Sequence, residues 1–141
     1  TTILFKYLLP QESSGIQNKF LIKIVIIISV IISILGISIS PLIIPNFFPK
    51  YVDATVAIQI MSFSIISIAT NTICTSKLLA KEKSKSVLIG GIIALSVLIV
   101  GILTLGSTYG TIGIAISFVL SNISKATFLG SSLKRYERNP N

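Results

Sequence analysis

Three long runs without a charged residue dominate the 141-residue sequence. They cover residues 24–49, 54–76 and 86–124, which are 26, 23 and 39 residues long. About 20 apolar residues at a rise of roughly 1.5 Å cross the roughly 30 Å hydrocarbon core of a bilayer, so each of the first two runs can form one transmembrane helix. The third run is long enough for two, and the turn-like sequence GSTYG at 106–110 lies near its middle.

The pattern predicts an all-α membrane protein with four transmembrane helices in two antiparallel hairpins. The predicted spans are about 22–46, 54–79, 86–106 and 109–133, after a cytoplasmic segment 1–23 and before a cytoplasmic tail 134–141. Membrane β-barrel strands do not fit, because they alternate apolar and polar residues whereas the run IVIII at 24–28 does not. In lipid, a helix satisfies its own backbone hydrogen bonds, so the low helix propensity of Ile matters little.

The basic residues fall almost entirely on one side of these predicted spans. Eleven of the 12 Lys and Arg residues lie in segment 1–23, in the connection 77–85 or from Lys125 onward, whereas Lys50 lies in the opposite loop. By the positive-inside rule, this distribution places both termini in the cytoplasm of a multi-pass protein of the cell membrane. The net charge of +8 is therefore a topology signal that also suits anionic lipid headgroups. A nucleic-acid surface is not expected, because no aromatic residues are interleaved with the lysines.

The residue inventory excludes most catalytic chemistry. The sequence has no His, one Cys (Cys74) and no carboxylate within the charge-free runs. His-based catalysis, an internal disulfide and a Cys-x-x-Cys metal or redox pair are therefore impossible within this sequence, and we expect neither an enzyme nor a bound cofactor. An intramembrane carboxylate is the usual candidate for ion coupling, so any coupling acid must lie elsewhere.

Four polar residues on the predicted helices are candidates for substrate binding. Lys125 lies inside the fourth predicted span, where a cation must snorkel to the surface, find a partner or face a wet cavity. Lys77 lies a turn before the basic connection and is either an interfacial anchor or a second cation for an anionic substrate. Asn71 and Asn122 add amide groups at nearby positions on the same two helices.

The start of the chain predicts that it is part of a longer protein. It begins with Thr1 and not with Met, and residues 1–9 are typical of the last apolar turns of an earlier helix ended by Pro10. No secretory signal peptide is recognisable there.

Residues 45–85 combine an aromatic, proline-containing loop, a long span rich in Ile and Ser, and a basic turn. The loop ends in PKY at 49–51 followed by DA at 53–54, and the turn reads LAKEKSK at 79–85. This segment resembles the C-terminal part of the polysaccharide flippases of the multidrug/oligosaccharidyl-lipid/polysaccharide exporter superfamily. Members of that family often have FG-x-x-Y-x-x-A and L-x-A-x-G-[KR]-x-[KR] at these places.

The resemblance extends over about residues 1–135. Residues 106–113, followed by IAI at 114–116, resemble the G-x-x-G-x-A motif that precedes a late helix of the family. The chain departs from the pattern at Pro49, where the family often has the Gly of Phe-Gly, and at Glu82, where the basic turn commonly has Gly.

The resemblance implies a fold of twelve to fourteen helices in two bundles, to which this chain contributes the last four spans of the twelve-helix core. It implies a transporter that flips lipid-linked oligosaccharide or polysaccharide precursors across the cell membrane by alternating access. Its partners would be membrane lipids, the lipid-linked glycan and the remaining helices, and Lys125 and Lys77 would attract the diphosphate of the substrate. Two alternatives remain open: a cation-coupled multidrug exporter of the same superfamily, and a self-contained four-helix scaffold subunit that transports nothing.

Overall fold

The computed structural model describes residues 19–138, which form helices joined by short turns. The elements are α1 (Lys19–Phe47), a 3-10 helix (Pro49–Ala54), α2 (Thr55–Ala80), α3 (Ser84–Gly101), a π-helical turn (Ile102–Gly106) and α4 (Ser107–Arg138). Three stretches, Ile22–Phe47, Thr55–Ala80 and Ser84–Tyr136, are long and apolar enough to cross a membrane. The prediction of an all-helical chain with membrane-crossing helices is thereby confirmed for the described residues. The predicted end of an earlier helix at 1–9 and the last residues of the tail lie outside them.

Helices α1 and α2 pack against each other in opposite directions. The Ser33 hydroxyl donates a hydrogen bond to the Ser62 carbonyl at 2.8 Å, and the Gln59 amide donates to the Ile37 carbonyl at 3.3 Å. The residue number rises along α1 as it falls along α2, which defines an antiparallel pair. The second bond has a local cause, because Pro41 has no N–H to give to the carbonyl four residues earlier. Gln59 satisfies that carbonyl from the neighbouring helix.

The stretch Ser84–Tyr136 folds back on itself at Gly110. The backbone there has φ +56° and ψ −131°, a conformation that is essentially restricted to glycine. On either side of this reversal, α3 and α4 run antiparallel, since the Ser121 hydroxyl donates to the Ala94 carbonyl at 2.7 Å. Further along, Gly101 of α3 lies directly against Ser117 of α4.

Helices α2 and α4 form the central pair and run in the same direction. The Asn71 amide donates to the Asn122 carbonyl at 3.1 Å, and Leu78 shares a buried cluster with Leu129. Because the two positions advance by seven residues on both helices, the pair is parallel. Helix α1 packs on the outer side of α2 and α3 on the outer side of α4. Side by side in space, the helices therefore lie in the order α1, α2, α4, α3.

Buried residues in this fold are mostly small and polar, whereas exposed ones are mostly large and apolar. Among the described residues, 12 buried ones are polar and 7 are hydrophobic. Exposed side chains include Phe20 at 70%, Leu103 at 69% and Leu88 at 67% of their full accessible area. Soluble proteins bury their large apolar residues instead. Small and hydroxyl-bearing residues at helix contacts, with apolar side chains outside, are typical of helices packed in a membrane.

Candidate functional site

The structure brings Asn71 and Asn122 together at the contact between α2 and α4. Asn71 is 5% exposed, and its Nδ2 donates to the backbone carbonyl of Asn122. The Asn122 side chain donates to the Phe118 carbonyl one turn earlier, at 2.9 Å. The Asn71 Oδ1 atom is buried and has no hydrogen-bond partner among residues 19–138. This contact therefore holds one acceptor that a further donor can satisfy.

Lys77 and Lys125 lie on the same two helices as the asparagines. Both side chains are half-buried, Lys77 in the last turn of α2 and Lys125 one turn after Asn122 on α4. Within the described part of the chain, neither ammonium group donates a hydrogen bond or forms an ion pair. Both cations thus remain available to an anionic group, and their role in substrate binding stays a prediction.

A run of buried polar residues along α2 continues from Asn71 toward the basic end. Thr72, Thr75 and Ser76 are each at most 9% exposed, and Ser76 is fully buried. The Thr72 hydroxyl donates to the Ile68 carbonyl at 2.9 Å, whereas the Ser76 Oγ has no partner in the region that the structure describes. The sequence did not single out Thr75 or Ser76, because hydroxyl residues are scattered over every face of these helices.

An apolar cavity of about 210 Å³ lies between α1 and α2. Branched and small apolar side chains form most of its wall, and Ser29 and Thr72 are its polar members. The Ser29 hydroxyl donates to the Val25 carbonyl at 2.7 Å, and the Thr72 hydroxyl is likewise bonded within its own helix. The cavity wall therefore offers no free hydroxyl donor and suits a hydrocarbon better than a charged group.

A second cavity, here called the turn cavity, lies where the α2–α3 connection meets the end of α4. It has a volume of about 480 Å³ and is lined by Glu82, Lys83, Ser84, Lys85, Ser86 and Tyr136. The Lys83 ammonium lies 4.9 Å from the centre of the Tyr136 ring, and the Ser86 hydroxyl is 3.5 Å from the Tyr136 hydroxyl. Sequence reasoning missed Tyr136, since nothing local indicates that a tail residue folds onto a turn 50 positions earlier.

The described residues show no cluster of side chains that could bind a metal ion. No group of three or more His, Cys, Asp and Glu residues comes together among the side chains that the structure describes. Cys74, the single cysteine, is buried in the cluster with Leu78 and Leu129.

No protein-family model, curated protein or solved structure matches the chain. Any functional assignment therefore depends on the residues and their geometry.

Proposed function

We propose that the chain is the C-terminal part of a membrane transporter that flips lipid-linked oligosaccharide or polysaccharide precursors across the cell membrane by alternating access. The observation that carries this proposal is Lys125, a half-buried cation without a hydrogen-bond or ion-pair partner among the side chains that the structure describes. It lies in an otherwise uncharged part of α4, one turn from the Asn71–Asn122 contact. An ionisable residue within membrane helices marks a substrate or ion pathway by default. The nature of the substrate rests on the resemblance of residues 45–85 to the flippases.

Four spans with cytoplasmic termini form the second part of the proposal. The stretch Ser84–Tyr136 has 53 residues, which would extend for about 80 Å as one helix, far more than a bilayer core. The reversal at Gly110 and the antiparallel contact of Ser121 with Ala94 support two spans instead. The connection 77–85 and the end of α4 then share the basic side, which the positive-inside rule places in the cytoplasm.

Further helices of a longer transporter are the proposed partners of this chain. The order α1, α2, α4, α3 leaves the outer faces of α1 and α3 unpaired within residues 19–138. Ile27 and Ile31 on α1 are 57% and 51% exposed, and Leu95 on α3 is 59% exposed. Lipid or additional helices must cover such surface, and a two-bundle transporter supplies both.

The proposal is tested by glycan translocation with the full-length protein in liposomes. We expect Lys125→Gln to slow the flipping of a lipid-linked oligosaccharide by about tenfold or more, because loss of one charge-assisted contact costs about 1.5–3 kcal/mol. Lys125→Arg keeps the charge and is expected to retain most of the rate. Lys134→Gln removes an exposed charge of the same helix and serves as the matched control.

The other two hypotheses give different results in the same system. Drug efflux by the full-length protein without glycan flipping would indicate the multidrug exporter. A stable, discrete assembly formed by residues 1–141 alone, with no transport, would indicate the scaffold subunit. Equal effects of Lys125→Gln and Lys134→Gln would remove Lys125 from the proposed pathway.

A further inference from the structure

The turn cavity is about half open to its surroundings and has the size and the chemistry of a site for a small polar ligand. Its volume of about 480 Å³ lies within the range of roughly 300–1,000 Å³ that ligand pockets occupy. It is formed by two segments distant in sequence: the α2–α3 connection with the first turn of α3, and the end of α4 at Tyr136. The cavity is separate from Lys125 and from the Asn71–Asn122 contact, so its occupant need not be the transported substrate.

The charges of the lining favour an anion. Lys83 and Lys85 carry two positive charges, and Glu82 carries one negative charge. Three hydroxyl groups, from Ser84, Ser86 and Tyr136, add neutral donors. In the described part of the chain, no side-chain hydrogen bond caps the start of α3, so the partial positive charge of that helix end adds to the two cations.

The Lys83 ammonium is positioned before any ligand arrives. Its distance of 4.9 Å from the centre of the Tyr136 ring is within the range of a cation–π interaction. Tyr136 is in turn close to the buried Ser86 hydroxyl. A lysine held in this way loses less conformational freedom on binding than a freely moving surface lysine does.

We propose that the turn cavity binds a phosphate group, with Lys83 and Lys85 as its charged ligands and Ser84, Ser86 and Tyr136 as hydroxyl donors. Phosphate fits better than a carboxylate because it presents more acceptor oxygens to this set of donors, and lysine binds phosphate as a point charge. The phosphate belongs either to the headgroup of an anionic lipid or to a soluble phosphate compound. Glu82 opposes binding and limits the affinity for any anion.

Lysine footprinting of the full chain in nanodiscs tests the proposal and identifies the source of the phosphate. Acetylation of each lysine is measured by mass spectrometry in three settings: a neutral galactolipid that contains no phosphate, the galactolipid with inorganic phosphate, and the galactolipid with phosphatidic acid. We expect Lys83 and Lys85 to be protected by one of the two phosphate sources. Lys81 is the internal control, because it is an exposed cation of the same turn that does not line the cavity.

Variants separate a defined site from diffuse attraction. Lys83→Gln is expected to raise the phosphate concentration needed for half-protection of Lys85 by about tenfold, because it removes one charge-assisted contact, whereas Lys81→Gln changes it by less than about twofold. Glu82→Gln is expected to lower that concentration severalfold, which no loss of folding can mimic. Protection of Lys81 equal to that of Lys83, or no protection from either source, overturns the proposal. Neither result bears on glycan flipping, which is measured separately through Lys125.

Discussion

Glu82 has a left-handed backbone conformation at the end of α2, with φ of 58°. Its N–H donates to the Leu79 carbonyl at 2.9 Å, and the N–H of Lys83 donates to the Leu78 carbonyl at 2.8 Å. These two bonds form a Schellman motif, in which the residue at the Glu82 position is usually glycine. Glu82 is also one of the two positions at which the chain lacks a Gly of the flippase pattern. The departure therefore falls on the one residue of this turn whose backbone favours glycine.

We expect Glu82→Gly to stabilise the protein by about 1 kcal/mol, because a left-handed conformation costs a residue with a Cβ roughly 1–2 kcal/mol and the added chain entropy of glycine offsets part of the gain. Thermal unfolding of the full chain in detergent measures the change. Glu82→Ala is the control, since it removes the carboxylate but keeps the Cβ. A stabilisation by alanine as large as that by glycine would show that charge and not backbone conformation is the cause.

Hydroxyl side chains explain how the helices tolerate a polar interior. The Ser117 hydroxyl, on a fully buried side chain, donates to the Gly113 carbonyl at 2.7 Å, and the Ser62 hydroxyl donates to the Ile58 carbonyl at 2.9 Å. A serine bonded to its own helix leaves no unsatisfied donor. Burial of these bonded hydroxyl groups therefore avoids the full cost of burying polar groups, whereas the buried hydroxyls of Ser40 and Ser76 have no partner among the described residues.

The close contact between helices α3 and α4 depends on Gly101, which has no side chain. A Cβ at this position would lie 2.6 Å from the Ser117 Oγ, 2.7 Å from its Cβ and 3.3 Å from its Cα. Rotation of the serine hydroxyl cannot relieve a clash with Cβ and Cα, so a larger residue must push the helices apart.

Gly101→Ala is therefore expected to destabilise the protein by about 1–3 kcal/mol, the usual cost of overpacking. Gly91 lies on the same helix, and a Cβ there would meet no atom within 4 Å. Gly91→Ala should be neutral or stabilise by up to about 1 kcal/mol through helix propensity alone. Chemical denaturation in matched detergent micelles compares the two variants. If Gly101→Ala and Gly91→Ala lowered the free energy of unfolding equally, the loss would not come from a clash with Ser117, and the close approach of α3 and α4 at Gly101 would be contradicted.

The sequence predicts some features of the helices and not others, and the physical cause differs from feature to feature. Charge-free runs longer than 20 residues predict membrane-crossing helices because lipid leaves the backbone few alternatives. The glycine-containing segment 106–110 suggested a turn, and the reversal occurs at its last residue, Gly110. The neighbours of each helix could not be predicted, because serines and threonines occur on all faces. The Lys83–Tyr136 contact could not be predicted from the sequence either, since it depends on how far α4 extends past its apolar part.

At the scale of the whole molecule, the chain exposes apolar surface along α1 and α3 and buries its polar contacts around α2 and α4. In water this distribution would be unfavourable, because exposed apolar area costs roughly 25 cal/mol per Å². In lipid the same surface carries no such cost, and helices associate through close packing of small residues instead. A three-span and a four-span arrangement of the chain therefore differ in the side of the bilayer on which the connections between helices lie.

The number of spans decides on which side the end of α4 lies, and this can be measured with single cysteines in the full chain carrying Cys74→Ala. With four spans, a membrane-impermeant maleimide added to intact cells is expected to label Lys50→Cys and Tyr109→Cys, whose parent side chains are exposed in the two connections opposite the basic end. Ser84→Cys and Arg135→Cys should react only after permeabilisation, because the proposed orientation, which follows the positive-inside rule, places the basic end in the cytoplasm.

Arg135 discriminates most sharply between the two arrangements. If Ser84–Tyr136 crossed the membrane once, Arg135 and Ser84 would lie on opposite sides, and one of them would react in intact cells. Ile32→Cys, in the middle of α1 and 47% exposed to its surroundings, is the control for burial in lipid and should react in neither condition. Labelling of Arg135→Cys from outside, with Ser84→Cys still protected, would therefore replace the four-span arrangement with three.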